Sequence, residues 1–129
     1  MWPPSVEEIA AVFRAAGIEA RLEELPEGED EFPGLGLRAD AFDCDGRRVV
    51  ALVPADRETD PRKLGFAHAR EVSAPQFPYS GAAVLLDTSL LAEETVWIEA
   101  GSPRHVVGVS PVQLIRLVRA QMGDLVVEA

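Results

Sequence analysis

The sequence predicts a single α+β domain with a mixed, largely antiparallel, curved sheet and about three packed helices. Short apolar runs typical of strands alternate with segments of helical periodicity in an irregular order, not strictly as β-α-β units. Asp45-Gly46 is a strong hairpin signal, which makes part of the sheet antiparallel. The 129 residues, 47% of them hydrophobic, suffice for one self-contained core, so we expect one domain over residues 1–129.

The first predicted element is a helix that begins at Ser5 and ends at Gly17. Ser5 and Glu8 form a capping-box pattern, in which the serine caps the helix and the glutamate reaches back. The apolar residues at helical spacing are Val6, Ile9, Ala10, Phe13 and Ala16. A half-buried strand is predicted over residues 18–25. It precedes an acidic loop, Pro26–Gly34, which is rich in breakers and which we expect to be exposed.

The central part of the chain predicts two antiparallel strands and a second helix. A strand over Leu37–Cys44 leads through the hairpin turn into Val49–Val53. This second run is apolar without alternation, so we expect it to be buried on both faces. Asp60-Pro61 combines a capping residue with a proline suited to the first helical position, and predicts a helix that ends near Ala69.

The remaining chain predicts four strands and a final helix before a last strand at the sheet edge. The four strands are Arg70–Ser73, Ala82–Leu86, Thr95–Glu99 and His105–Val109. Residues 84–86 lack a polar face, so we expect them at the centre of the sheet. Ser110 and Gln113 form a second capping box, and the helix is predicted to run to Gly123, before a strand over 124–127. Its expected buried face is Val112, Ile115, Leu117, Val118 and Met122.

The charge balance limits the possible partners. The chain has 22 acidic and 12 basic residues and a formal net charge of −10. Surfaces that bind polyanions need clustered Lys and Arg, so we expect no generic nucleic-acid-binding face and no DNA partner, only a small basic docking site at most. No apolar run approaches the roughly 20 residues that span a bilayer, and the N-terminus lacks a signal-peptide pattern. These features predict a cytoplasmic protein without a membrane partner.

Few residues carry a recognisable catalytic or metal-binding pattern. A phosphate-cradling glycine loop, a nucleophile elbow, a zinc-protease motif and an EF-hand pattern are all missing from the sequence, so we expect no metal and no cofactor. The single cysteine, Cys44, is expected to be an inert small hydrophobe. The acidic run Glu27–Glu31 is expected to be solvated surface. Ser5 and Ser110 are predicted to cap helices rather than to take part in chemistry.

The order of several motifs resembles the YbaK and prolyl-tRNA synthetase-associated editing domains. In the first half, the resemblance lies in the buried strand that ends at Pro54 and in the helix start Asp60-Pro61-Arg62-Lys63-Leu64. In the second half, the segments in the family's order and spacing are Leu85–Leu91, Thr95–Ile98, Gly101–Pro103 and Ser110–Leu114. The resemblance covers about residues 37–125.

This resemblance implies a metal-independent deacylase that hydrolyses mischarged aminoacyl-tRNA in trans, with the aminoacylated 3′ end of a tRNA as partner. The family's lysine position falls on Arg38, which would anchor negative charge on the substrate. Around the family's Gly-Ser turn, Gly101 would let the backbone approach closely and Ser102 would donate to a carbonyl or hydroxyl. His105 would orient the ligand or a water. We expect these four residues to converge on one pocket, and we assign no catalytic residue.

Two departures from the family pattern leave an alternative open. Arg38 cannot act as a neutral base, and the family's glycine-rich loop is missing from residues 73–81. The alternative is a catalytically degenerate relative that binds a small anion, a nucleotide or a protein. Against the four-residue pocket stands a simpler structural interpretation, in which Arg38 lies on an exposed strand face and pairs with Asp40 or Glu31. A basic mouth near Arg38 and Arg104 favours tRNA, whereas an acidic or apolar mouth favours the binding module.

Overall fold

The computed structural model describes residues 2–29 and 31–128. Over these residues it contains two α-helices, α1 (Pro4–Ala15) and α2 (Pro111–Val118), and two short 3₁₀ turns. The eight strands are β1 (Arg21–Glu24), β2 (Leu37–Cys44), β3 (Arg47–Pro54), β4 (Arg70–Val72), β5 (Ala83–Asp87), β6 (Val96–Ser102), β7 (His105–Val109) and β8 (Gln121–Gly123). The predicted α+β class is confirmed, with two α-helices rather than three. Within the described ranges, no helix is long and apolar enough to cross a membrane.

The strands form two sheets rather than one. The larger sheet has the order β4-β2-β3-β5-β8, in which β2 is antiparallel to β4 and β3, while β5 is parallel to β3 and β8. The smaller sheet, β1-β7-β6, is antiparallel throughout. The two sheets meet where Gly36 bridges to Trp97. Val49–Val53 and residues 84–86 lie on interior strands of the larger sheet, as predicted.

Strand β3 contributes to two hydrophobic cores, one on each face of the larger sheet. Val50 and Leu52 belong to the main core, which also includes apolar residues of both helices and of the smaller sheet. Val49 and Val53 belong to a second core on the opposite face. A strand covered on both faces needs apolar side chains at consecutive positions, which explains the missing alternation in this run.

Helix α1 begins two residues earlier than a Ser5 cap predicts, and Ser5 does not cap it. Pro3 occupies the cap position and Pro4 the first helical position, where a missing N–H costs no hydrogen bond. The Ser5 hydroxyl instead donates to the carbonyl oxygen of Gly101 at 3.0 Å. The predicted Ser5 cap is therefore wrong, because the proline pair starts the helix ahead of it.

The predicted second helix is only a 3₁₀ turn over Pro61–Leu64. Asp60 caps it as expected, since its carboxylate accepts from the backbone N–H of Arg62 at 3.0 Å. Gly65 then adopts the left-handed conformation, with φ of 85°, and ends the turn. The prediction of a helix to Ala69 is wrong for this reason.

Helix α2 is capped as predicted but ends earlier than predicted. The Ser110 hydroxyl accepts from the backbone N–H of Gln113 at 3.3 Å. Arg119 then takes the left-handed conformation, with φ of 56°, and the chain turns into the edge strand β8. The last strand is thus shifted from the predicted residues 124–127.

Two residues of the predicted buried helix face are solvent-exposed. Met122 is 54% exposed because it lies on the edge strand β8, beyond the end of α2. Val112 is 55% exposed on the first turn of α2. Leu114 and Val118, by contrast, are buried and attach the helix to the main core.

Candidate functional site

A cavity of about 490 Å³ lies between α1, the start of β2, the end of β6 and the loop of residues 74–79. Pockets for small molecules range over roughly 300–1,000 Å³, so this cavity is large enough for one. Most of its wall is apolar, contributed by Ile9, Phe32, Leu37, Ala39, Ala55, Ala74, Pro75, Phe77 and Ile98. The remaining lining residues are Arg38, Gln76, Tyr79, Glu99 and Gly101. We call this space the main cavity.

Arg38 lies at the rim of the main cavity and is paired with a carboxylate. Its Nε donates to both oxygens of Asp40, at 3.0 and 3.1 Å, and Asp40 also accepts from the hydroxyl of Thr59 at 2.7 Å. Side chains alternate along a strand, so Arg38 and Asp40 share one face of β2, while Leu37 and Ala39 face the main cavity. The charge of Arg38 at the rim is therefore largely compensated.

Gly101 lies in the main cavity wall, but its close backbone neighbour is helix α1. The residue has φ of 85° and lies in an irregular part of the β6-β7 pairing. A Cβ built on it would lie 2.8 Å from the carbonyl carbon and oxygen of Ser5 and 3.0 Å from the nitrogen of Val6. Glycine is thus required here because the helix approaches so closely.

Ser102 and His105 bind each other and do not line the main cavity. The Ser102 hydroxyl lies 2.6 Å from His105 Nδ1 and also accepts from the backbone N–H of Arg104 at 3.1 Å. His105 is buried, and its ring meets Trp2 edge to face at 5.4 Å. Of the four predicted site residues, the structure brings Arg38 and Gly101 to the main cavity and leaves this pair outside it. A binding role for any of the four stays a prediction.

Tyr79 and Glu99 are polar cavity residues that sequence reasoning missed. Burial, with a smaller contribution from the charge of Glu99, raises the pKa of Tyr79 to about 12, so its hydroxyl stays protonated at neutral pH. Tyr79 also has φ of 63°, which is unusual for a bulky residue and typical of functional or strained segments. The breaker-rich composition of residues 74–81 is a sequence signal of an irregular loop, yet it did not single out Tyr79.

The residues predicted to be functionally silent lie away from the polar part of the main cavity. Cys44 is fully buried, and this burial raises the pKa of its thiol. The run Glu27–Glu31 is exposed at its described positions, while Asp30 lies outside the described residues. Phe32, which follows the run, is half-buried and contributes to the cavity wall. Across residues 2–29 and 31–128, no group of three or more His, Cys, Asp or Glu side chains could hold a metal ion.

Comparison with known proteins identifies the fold. No family model and no curated protein matches the sequence. The crystal structure of a protein proposed to be a trans-editing enzyme for prolyl-tRNA synthetase superposes with a TM-score of 0.83. It is 20% identical, and the match covers 99% of this chain and 100% of that chain. A hypothetical protein matches with a TM-score of 0.80 at 14% identity, over 93% of this chain and 99% of that chain.

A longer protein contains the same fold. It comes from Marinobacter aquaeolei VT8 and is proposed to act in signal transduction. The TM-score is 0.70 at 15% identity, over 98% of this chain but only 31% of that chain. At these identities the agreement concerns the fold. This chain therefore has the fold of the YbaK and prolyl-tRNA synthetase-associated editing domains, as the order of its motifs predicts.

Proposed function

We propose that this protein is an aminoacyl-tRNA deacylase of the editing type, which receives the mischarged aminoacyl group in the main cavity. The observation that carries the proposal is the full-length agreement of its fold, at a TM-score of 0.83, with a protein proposed to edit in trans. The mostly apolar wall and the volume of about 490 Å³ suit an apolar amino-acid side chain. The substrate is thus a tRNA whose 3′ end carries such a residue.

The reaction needs few catalytic groups, because an aminoacyl ester is already activated toward attack by water. Binding the ester in one orientation and stabilising the oxyanion that forms can supply most of the rate increase. Tyr79 keeps its proton at neutral pH and so remains a hydrogen-bond donor for the carbonyl oxygen. Glu99, at the same wall, is the carboxylate that accepts a proton from the attacking water.

The residues carried over from the family resemblance take positioning roles in this proposal. Arg38 at the rim orients the negatively charged end of the tRNA while Asp40 fixes its guanidinium. Gly101 keeps the β6 backbone close to α1 and thereby shapes the cavity wall. Ser102 and His105 support the turn that follows Gly101 through their mutual hydrogen bond.

The decisive test is a deacylation panel of tRNAs mischarged with apolar and polar amino acids. The wild-type protein should hydrolyse esters of one or more apolar residues, and Glu99→Gln should lower the rate by about 10²–10⁴-fold. Glu94→Gln is the matched control, because Glu94 is an exposed glutamate of the same region that does not line the main cavity. Equal rates for the two variants would contradict the role of Glu99.

The same panel tests Arg38. Arg38→Ala should weaken tRNA binding and leave the rate at saturating tRNA nearly unchanged, since Arg38 lies at the rim. Arg14→Ala is its control, because Arg14 is an exposed arginine paired with Glu7 at 3.8 Å on helix α1. Equal tRNA binding by both variants would remove Arg38 from the site.

A second candidate, a binding module without catalysis, is favoured by one observation. The mouth of the main cavity is not basic, because Arg38 is compensated by Asp40. Arg104 does not line the cavity and pairs with Glu24 at 3.4 Å. Under this candidate, no tRNA of the panel is hydrolysed, although a small apolar ligand or a nucleotide still binds in the main cavity.

A further inference from the structure

A second cavity, of about 730 Å³, has only basic and neutral residues in its described lining. It lies at the N-terminal ends of strands β3 and β5, beside the C-terminal end of α2. Its polar side chains are those of Arg47, Tyr79, Ser80, Arg119 and Gln121, and its described lining contains no carboxylate. The main cavity and three further surface pockets, near residues 61–70, 60–63 and 31–36, each have at least one Asp or Glu in their walls. The chain as a whole has a net charge of −10, and we call this carboxylate-free cavity, with Arg47 and Arg119 in its wall, the arginine groove.

The two arginines of the arginine groove have no carboxylate partner among the described residues. Within residues 2–29 and 31–128, seven of the twelve cationic side chains form ion pairs, and Arg57 donates to a backbone carbonyl. The other four cationic residues lie in two short segments. Arg47 and Arg48 are at the start of β3, and Arg116 and Arg119 are at the end of α2. An acidic protein has ample carboxylates to pair with such residues, yet these exposed guanidinium groups have no protein partner among the described residues.

The helix end explains only part of this arrangement. A cation near the C-terminus of a helix is favoured by the helix dipole, which accounts for Arg116 and Arg119. Arg47 lies on strand β3 and gains nothing from that dipole. Arg119 also occupies the left-handed position that usually favours glycine or asparagine, which adds a conformational cost at this site.

We propose that the arginine groove binds phosphate groups of a polynucleotide strand, which under the proposed function is the tRNA substrate. Guanidinium groups bind phosphate oxygens through paired N–H donors, and Ser80 and Gln121 add neutral donors. Phe66, half-buried in the groove wall, offers an aromatic face on which a base can stack. These three chemistries together fit a nucleotide strand better than an isolated inorganic anion.

The position of the arginine groove supports this assignment. Tyr79 lines both the groove and the main cavity, so the two spaces share one side chain in their walls. A strand held by its phosphates in the groove is thus next to the cavity proposed to receive its aminoacyl end. This part of the inference rests on the proposed function, whereas phosphate binding by the groove does not.

The test measures binding of deacylated tRNA as a function of salt concentration, so it needs no catalysis. The double variant Arg47→Glu/Arg119→Glu should bind tRNA at least tenfold more weakly at low salt. The slope of log K against log salt should fall by about two, one for each lost phosphate contact. Arg47→Lys/Arg119→Lys should keep most of the slope and lose part of the affinity, because lysine retains the charge without the paired donors.

The matched control is Arg14→Glu/Arg21→Glu, which changes the net charge equally at two exposed arginines that line neither the arginine groove nor the main cavity. An equal loss in the two charge-reversal doubles would overturn the proposal, because only the net charge would then matter. So would the absence of tRNA binding by the wild type at low salt. Binding of AMP in the groove without any binding of tRNA would contradict the polynucleotide assignment.

A separate measurement distinguishes failure of this inference from failure of the proposed function. Hydrolysis of a minimal aminoacyl ester that carries no tRNA should be the same for the wild type and for Arg47→Glu/Arg119→Glu. If the wild type hydrolyses neither ester nor mischarged tRNA, the deacylase proposal fails, while the salt dependence of tRNA binding still decides the role of the groove.

Discussion

Replacing Gly101 with alanine tests why glycine is needed beside the main cavity. The residue has φ of 85°, and an L side chain in the left-handed region costs about 1–2 kcal/mol. The new Cβ would also lie 2.8 Å from the Ser5 carbonyl carbon and oxygen, which are backbone atoms and cannot rotate away. Overpacking of this kind costs a further ~1–3 kcal/mol. Gly101→Ala should therefore lower the free energy of unfolding by about 2–5 kcal/mol.

Gly46→Ala provides the matched control for the close approach. Gly46 has φ of 88° in the hairpin turn, and a Cβ built there meets no atom within 4 Å. Only the conformational cost of about 1–2 kcal/mol applies to it. Urea unfolding of both variants should show Gly101→Ala to be less stable by about 1–3 kcal/mol. Equal losses would refute the contact with α1 and leave the positive φ alone as the reason for this glycine.

Three further predictions concern single side chains. Ser110→Ala should lower the free energy of unfolding by about 0.5–2 kcal/mol through the lost cap of α2, measured by urea unfolding, and an unchanged midpoint would contradict the cap. The pKa of Tyr79 is about 12 in the folded state and about 10 in the unfolded state. The free energy of unfolding should therefore be unaffected below about pH 10 and should fall by about 2–3 kcal/mol between pH 10 and 12. Tyr79 is the only tyrosine, so the ultraviolet absorbance of its phenolate reports this ionisation directly, and Tyr79→Phe should lack the loss of stability. Cys44, whose burial raises the pKa of its thiol, should react with an alkylating reagent only after unfolding, and rapid labelling of the native protein would show that the thiol is accessible.

The interior of the fold follows from the sequence, whereas the ends of several elements do not. An unbroken apolar run such as Val49–Val53 has only one low-energy position, an interior strand covered on both faces. The ends are decided by single residues: the Pro3–Pro4 pair starts α1 early, and Arg119 stops α2 by adopting a left-handed conformation. The division into two sheets depends on β1 pairing with β7, far along the chain, which no local pattern reveals.

Residues of the candidate site can be predicted only where a local sequence pattern requires a particular residue type. Gly101 stands out in the sequence because it begins a Gly-Ser-Pro turn, and it does line the main cavity. Glu99 and Tyr79 line the same cavity although they lie on β6 and on the loop of residues 74–79, and no local sequence pattern brings these two segments together. His105 is explained by its local structure, because it forms a hydrogen bond with Ser102 across the β6-β7 turn. This hydrogen bond stabilises the turn, and neither residue lines the main cavity.

Binding of an aminoacyl group in the main cavity is the central claim, and an NMR titration tests it most directly. The ligand is 3′-aminoacyl-adenosine with an apolar side chain, in which an amide replaces the ester so that it cannot be hydrolysed. The backbone amide signals of Gln76, Glu99 and Gly101, which line the main cavity, should shift with a common saturation curve. Shifts confined to residues around Ser102 and His105, or no saturable shift at all, would contradict the account.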